Sequence, residues 1–136
     1  MTAHTFSSDV LALNPGLQQL AGRKKGAKYY NIPTDYDGHH FDSQKEARDY
    51  VGLKLLEMAG QIVDLVLQPE FVLQEAYDDG DGVHHRAIKY VADFMWRDVY
   101  TGKKHVKDSK GFKTKDFRIK EKLFHKQYPQ YVLEVG

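Results

Sequence analysis

The chain contains no cysteine, so neither a disulfide framework nor a thiolate metal site is available, and a reducing compartment is compatible with it. Any metal chemistry has to come from oxygen or imidazole ligands. Nor is there a hydrophobic run approaching the roughly 18 residues of a membrane-spanning helix. The opening MTAHTFSSDVLALNPG lacks a basic stretch followed by an apolar one, the mark of a secretion signal. These absences lead to the expectation of a soluble, cytoplasmic protein. No serine and histidine are arranged to suggest a hydrolase triad, and no zinc finger or recognition helix is visible that would read base sequence. At 136 residues the chain suits one domain that buries a core without cross-links.

A dominant charge is missing too: 20 basic residues face 19 acidic ones for a net +1. The charges are nevertheless segregated. Residues 35–82 hold twelve acidic and three basic side chains, net −9, whereas 103–122 hold nine basic and three acidic, net +6. A second basic cluster, GRKKGAK, carries Arg23, Lys24, Lys25 and Lys28. Such asymmetry can supply a surface that tracks phosphates even when the total is near zero. A solvated lysine-rich face would account for the same pattern.

Residues 1–35 show no sustained period and are punctuated by NPG and GRKKG, which predicts an arm with at most a short helix at LQQLAG. FDSQKEARDYVGLKLLEMAGQ is the clearest helix: Ser43 can cap it, Glu46 follows three residues later, apolar residues recur at Ala47, Tyr50, Val51, Leu55 and Met58, and Gly60 ends it. IVDLVLQPEFVLQEAY predicts two short strands, or one bent at Pro69. DDGDG is a turn. VHHRAIKYVADFMWRD predicts a long strand antiparallel to EFVLQEA, VYTG a turn, and KKHVKDSKG a returning strand. A second helix over TKDFRIKEKLFHKQYP is capped by Thr114 and stopped by Pro129, and QYVLEV closes the chain as a strand. The order is helix, three antiparallel strands, helix, strand: an α/β or α+β fold with a mixed central sheet flanked by helices.

The hairpin over residues 90–114 carries polar residues where a strand would favour Val or Thr. Centring its turn between Tyr100 and Thr101 makes paired positions sum to 201, which sets Asp93 opposite Asp108 and Val91 opposite Lys110. Side chains repeat every two residues along a strand, so Asp93, Asp108 and Lys110 share a face. Like charges directly opposite are unfavourable unless a cation joins them. Two hard oxygen ligands suit Mg²⁺, which also takes water and substrate phosphate. Lys110 would then stand near a water in that shell, able to orient it and to offset charge on a phosphate, a combination suited to phosphodiester hydrolysis. Ordinary solvent-facing residues at a strand end are the competing account.

An Asp followed about fifteen residues later by Asp-x-Lys resembles the metal site of the PD-(D/E)xK nuclease superfamily, with its restriction-endonuclease-like αβββαβ core. The likeness is closest to a branch of small phage-encoded proteins. It is carried by DGHHFDSQKEARDYVGLKLLEMAGQIVDLVLQPEFVLQ, IKYVADFMWRD and DSKGFKTKDFRIKEKLFHKQYP, and it spans roughly residues 37–135. The resemblance implies that Asp93 and Asp108 ligate metal, that Lys110 assists the attacking water, and that Glu46 contributes from the first helix. From the residues alone, Ser43 and Glu46 also read as a capping box. One departure concerns Lys107, where the phage branch commonly carries an acidic residue beside the aspartate.

Lys113, Thr114 and Lys115 stand before or at the start of the second helix, where free N–H groups and basic side chains can hold a phosphate; a cap and surface lysines account for them equally well. Gln68 and Pro69 match the phage branch, though Gln68 reads more simply as a strand-end polar residue. The pairs His39–His40 and His84–His85 make poor zinc chelates, because neighbours on a strand face opposite sides. DDGDG lacks the downstream glutamate of a calcium loop. Tyr90, Phe94, Trp96, Phe117 and Phe124 read as core.

The expectation is therefore a basic arm over 1–35 followed by a nuclease domain over 36–136, acting as a Mg²⁺-dependent DNA endonuclease with Mn²⁺ as a substitute. Arg23, Lys24, Lys25, Lys28, Lys113, Thr114 and Lys115 would contact the DNA backbone, selecting branched, flapped or nicked DNA by shape. The resemblance implies a phage replication and recombination setting, in the host cytoplasm, and a partner from that machinery. A Holliday-junction resolvase, for which a two-fold homodimer suits a two-fold substrate, and a non-catalytic nucleic-acid-binding protein are the alternatives; a structural or assembly protein that binds no DNA is a third.

Overall fold

The computed structural model describes residues 32–136. Nearly all of the expected arm, including LQQLAG and the cluster Arg23, Lys24, Lys25 and Lys28, lies outside the described residues. The described chain divides into two compact units between Gly60 and Gln61.

The first unit opens with an antiparallel hairpin, β1 (Thr34–Tyr36) and β2 (His39–Phe41). Its two-residue loop, Asp37-Gly38, has φ of 54° and 75°, the left-handed pair that matches the twist of the flanking strands. Helix α1 (Gln44–Met58) follows. Ser43 caps it in extended conformation, its Oγ accepting from the Glu46 N–H at 3.1 Å. Ala47, Tyr50, Val51 and Leu53 are buried, whereas Met58 in the last turn is exposed. The Tyr50 hydroxyl donates to Asp37 Oδ2 at 2.6 Å and ties the helix to the hairpin turn. Gly60, with φ of 75°, ends the helix.

The second unit is built on a mixed sheet in which β3 (Ile62–Leu67), β8 (Phe94–Asp98), β9 (Lys104–Asp108) and β10 (Tyr131–Val135) lie in the order β10-β9-β8-β3. The pairs β3·β8 and β8·β9 are antiparallel and β9·β10 is parallel. Helix α2 (Lys115–Gln127) makes the crossover between the two parallel strands, with the Thr114 hydroxyl accepting from Phe117 N–H at 3.1 Å as its cap. Helix α1, three antiparallel strands, α2 and a parallel strand reproduce the expected order, and the fold is α+β. Among the described residues no helix is long and apolar enough to cross a membrane.

The long strand expected over residues 83–98 is broken into β6 (His84–His85), β7 (Ile88–Val91) and β8. Each piece takes a different partner: β6 pairs with β5 (Tyr77–Asp78), β7 with β4 (Glu70–Gln74), and β8 with the four-stranded sheet. The chain changes partner at Ala92 and Asp93. Ala92 N–H donates to Pro69 C=O at 3.1 Å, and Asp93 N–H donates to Lys107 C=O at 3.0 Å. The pairing of β4 with β7 is as expected.

Helix α2 packs its apolar face, Phe117 and Phe124, on Phe71, Leu73, Tyr90, Ala92 and Val106. Phe124 meets Phe71 edge-on with centroids 5.0 Å apart, and the Tyr128 hydroxyl donates to Val72 C=O at 2.8 Å. The remaining core expectations hold: Tyr90, Phe94, Trp96, Phe117 and Phe124 are all buried.

Register in the β8–β9 hairpin is held by its loop. Asp98 N–H donates to Lys103 C=O at 2.9 Å, Gly102 N–H returns to Asp98 C=O at 2.8 Å, and Asp98 Oδ1 accepts from Tyr100 and Thr101 N–H at 2.8 and 3.0 Å. The Thr101 N–H, with Tyr100 N–H beside it, holds the Asp98 carboxyl below its ordinary pKa. A depressed carboxyl pKa favours the folded state above about pH 4, and that advantage disappears as pH falls through the folded value. Asp98→Asn, which keeps the acceptor and removes the charge, is expected to be less stable than wild type at neutral pH, with the difference closing in acid; urea unfolding across pH 3–7 checks this. Phe124→Ala is expected to cost about 3–5 kcal/mol of unfolding free energy, against less than about 0.5 kcal/mol for the exposed Ile119→Ala, in the same measurement.

Candidate active site

The β8–β9 ladder pairs Phe94 with Lys107, Met95 with Val106, Trp96 with His105 and Arg97 with Lys104. Every pair sums to 201, the register on which the opposition of Asp93 and Asp108 depends. Asp93 stands one residue before β8 and Asp108 is the last residue of β9, so the two come together where the ladder ends.

Asp93 is anchored at three points. Its N–H donates to Lys107 C=O, its C=O accepts from Gln68 N–H at 2.9 Å, and its Oδ2 accepts from Ser109 N–H at 2.7 Å. Gln68 adopts φ of 51° just before the buried Pro69. Its side chain is exposed and its contribution to Asp93 comes through the main chain. The expected strand-end role is therefore the observed one, with a positioning consequence.

Asp108 is only 5 % exposed. Its Oδ2 accepts from the Tyr90 hydroxyl at 2.8 Å and lies 3.8 Å from the Lys110 ammonium. Lys110 Nζ sits over the Phe117 ring, 4.9 Å from its centroid, so the ammonium is placed by an aromatic face as well as by the carboxylate. Burial holds the Tyr90 phenol far above its ordinary pKa, reinforced by Asp108, Asp93 and Glu121. Both carboxylates and Glu121 thus act on one hydroxyl.

Asp93, Asp108 and Lys110 are brought to one place in the second unit. Glu46 belongs to the first unit, where it is buried and its N–H serves the Ser43 cap. Lys107, the departure from the phage pattern, is buried in β9. Lys113 Nζ pairs with both oxygens of Glu121 at 3.0 and 3.3 Å, Thr114 caps α2, and Lys115 is exposed in its first turn. Three of the four paired histidines take carboxylates, His40 on Asp35 at 2.7 Å, His84 on Asp78 and His85 on Asp79 at 2.8 Å, and His39 packs on the Tyr50 ring with centroids 5.3 Å apart. DDGDG is a turn in which Asp79 Oδ1 accepts from Asp81 and Val83 N–H.

Sequence reasoning missed the polar half of Tyr90 and the place of Glu121. A buried tyrosine hydroxyl needs a partner, and an aspartate in the same hairpin region was available to supply it. Among the described residues no three His, Cys, Asp or Glu side chains group closely enough to hold a metal ion by themselves. Two carboxylates are nonetheless a fitting donor set for a hard cation that fills its shell with water and phosphate oxygens.

The Asp93–Ser109 bond also has a structural share. Asp93→Ala removes the acceptor of a part-buried N–H, and it is expected to cost about 1–3 kcal/mol and to speed amide exchange at Ser109. Asp93→Asn, whose oxygen can still accept, is expected to retain most of that protection.

A family model described as "Protein of unknown function (DUF1064)" matches residues 24–135. No curated protein and no solved structure matches the chain.

Proposed function

The chain belongs to that family of unknown function, and we propose from the site itself that it is a divalent-metal-dependent endonuclease of the PD-(D/E)xK type. The observation that carries the reading is the convergence of Asp93 and the buried Asp108 at the end of one ladder, with Lys110 3.8 Å from Asp108. A buried carboxylate with an ammonium at that distance and a second carboxylate at the same end of the ladder is a place where added positive charge is favourable.

Asp93 and Asp108 would hold Mg²⁺, or Mn²⁺ in its place. When bound, the ion would supply Lewis acidity toward a phosphate oxygen and a more acidic water. Lys110 donates hydrogen bonds toward the attacking water and the phosphate, offsetting charge as the water oxygen bonds to phosphorus and the bridging oxygen leaves with a proton. Tyr90 is held protonated, so it acts as a donor to Asp108 and not as a base.

DNA as substrate is supported by charge. Lys115, Arg118, Lys122 and Lys126 fall on one exposed face of α2 at helical spacing, with Lys113 beside them in the preceding loop. Phosphate contacts of this kind give salt-sensitive affinity without sequence choice. Shape is therefore the proposed basis of selection, with branched, flapped or nicked DNA as substrates.

Purified protein incubated with supercoiled plasmid and with a synthetic four-way junction is expected to cleave only when Mg²⁺ or Mn²⁺ is present. Asp108→Ala is expected to abolish cleavage and Lys110→Ala to slow it by about 10²–10⁴-fold, while both variants still shift DNA in a salt-dependent manner. Metal-independent shifting without cleavage by the wild type would identify a binding protein, and absence of any shift a protein of another class.

A further inference from the structure

Tyr90 reaches the carboxylates from outside the four-stranded sheet. It lies on β7, which pairs with β4 and not with β9. Its ring is clamped by Phe71, stacked at 6.3 Å, and by Phe117 and Phe124, edge-on at 5.9 and 5.7 Å. In this aromatic cluster a phenylalanine would fill the same space, so packing accounts for the ring but not for the hydroxyl. That hydroxyl donates to Asp108 Oδ2 at 2.8 Å, the same oxygen that Lys110 approaches at 3.8 Å.

Resting on the nuclease reading above, we propose that Tyr90 is a positioning residue: its clamped hydroxyl occupies Asp108 Oδ2, keeps Lys110 from closing on the carboxylate as a tight ion pair, and leaves Oδ1 for the divalent ion. Partners that orient a ligating carboxylate commonly govern metal affinity as strongly as geometry at the metal does. A carboxylate fully paired with an ammonium is a weaker ligand, and an ammonium so paired is less available to water or phosphate.

The test is Mn²⁺ binding by the full chain, followed by calorimetry without DNA. Tyr90→Phe is expected to bind Mn²⁺ about 10–100-fold more weakly than wild type. Adding Lys110→Ala to Tyr90→Phe is expected to recover part of that loss, because the ammonium that would close on Asp108 is gone; a hydroxyl with a merely structural role predicts no such recovery. Wild-type affinity in Tyr90→Phe overturns the proposal while leaving the nuclease reading in place. Failure of the wild type itself to bind Mn²⁺ overturns both. Should Tyr90→Phe not fold, Phe71→Leu, which loosens the clamp and keeps the hydroxyl, is expected to weaken Mn²⁺ binding by a smaller factor, and unchanged affinity there overturns the proposal.

Discussion

The register of the β8–β9 hairpin is the constraint on which the rest depends. Side chains alternate between faces along a strand, so a slip of one residue would send Asp93 and Asp108 to opposite sides of the sheet. The loop prevents that slip with several hydrogen bonds at once. Asp98 gathers the N–H groups of Tyr100 and Thr101 on one carboxylate oxygen, and its main chain closes the loop on Lys103 and Gly102. A turn residue thus helps set which side chains meet at the far end of the ladder.

Placing two carboxylates opposite one another is unfavourable in isolation, and the surrounding structure holds them there. Asp93 is pinned through its N–H and its side chain by the end of β9 and through its C=O by Gln68. Asp108 is fixed by a phenol held in an aromatic cluster that also forms the core under α2. The same residues that stabilise the unit therefore orient the acidic groups, and core and site are not separable parts. Lys110, placed over Phe117, joins that cluster from the loop between β9 and α2.

Much of this was legible in the sequence because it is local. The caps Ser43 and Thr114, the stop at Pro129 and the centre of the turn at Tyr100–Thr101 are each set by neighbouring residues. The Asp37-Gly38 hairpin was equally local and went unread, although Asp-Gly between alternating residues is a strong hairpin signal. What was not legible is tertiary. The alternation in residues 83–98 is the same whichever strand lies alongside, so nothing in it announces that β6, β7 and β8 take three different partners. Tyr90 was readable as core, and its hydroxyl partner 18 positions away was not. The pairing of Lys113 with Glu121 likewise depends on how the loop meets α2. Glu46 carries a cap and an acid in one residue, and the sequence offers no means to separate the two.

The central claim is that Asp93 and Asp108 share one divalent ion. Anomalous diffraction from crystals of the protein soaked in Mn²⁺ tests it most directly. The account predicts a single strong peak between the two carboxylates, within bonding distance of an oxygen from each. Carboxylates turned away from one another, or manganese bound only elsewhere on the chain, would contradict it.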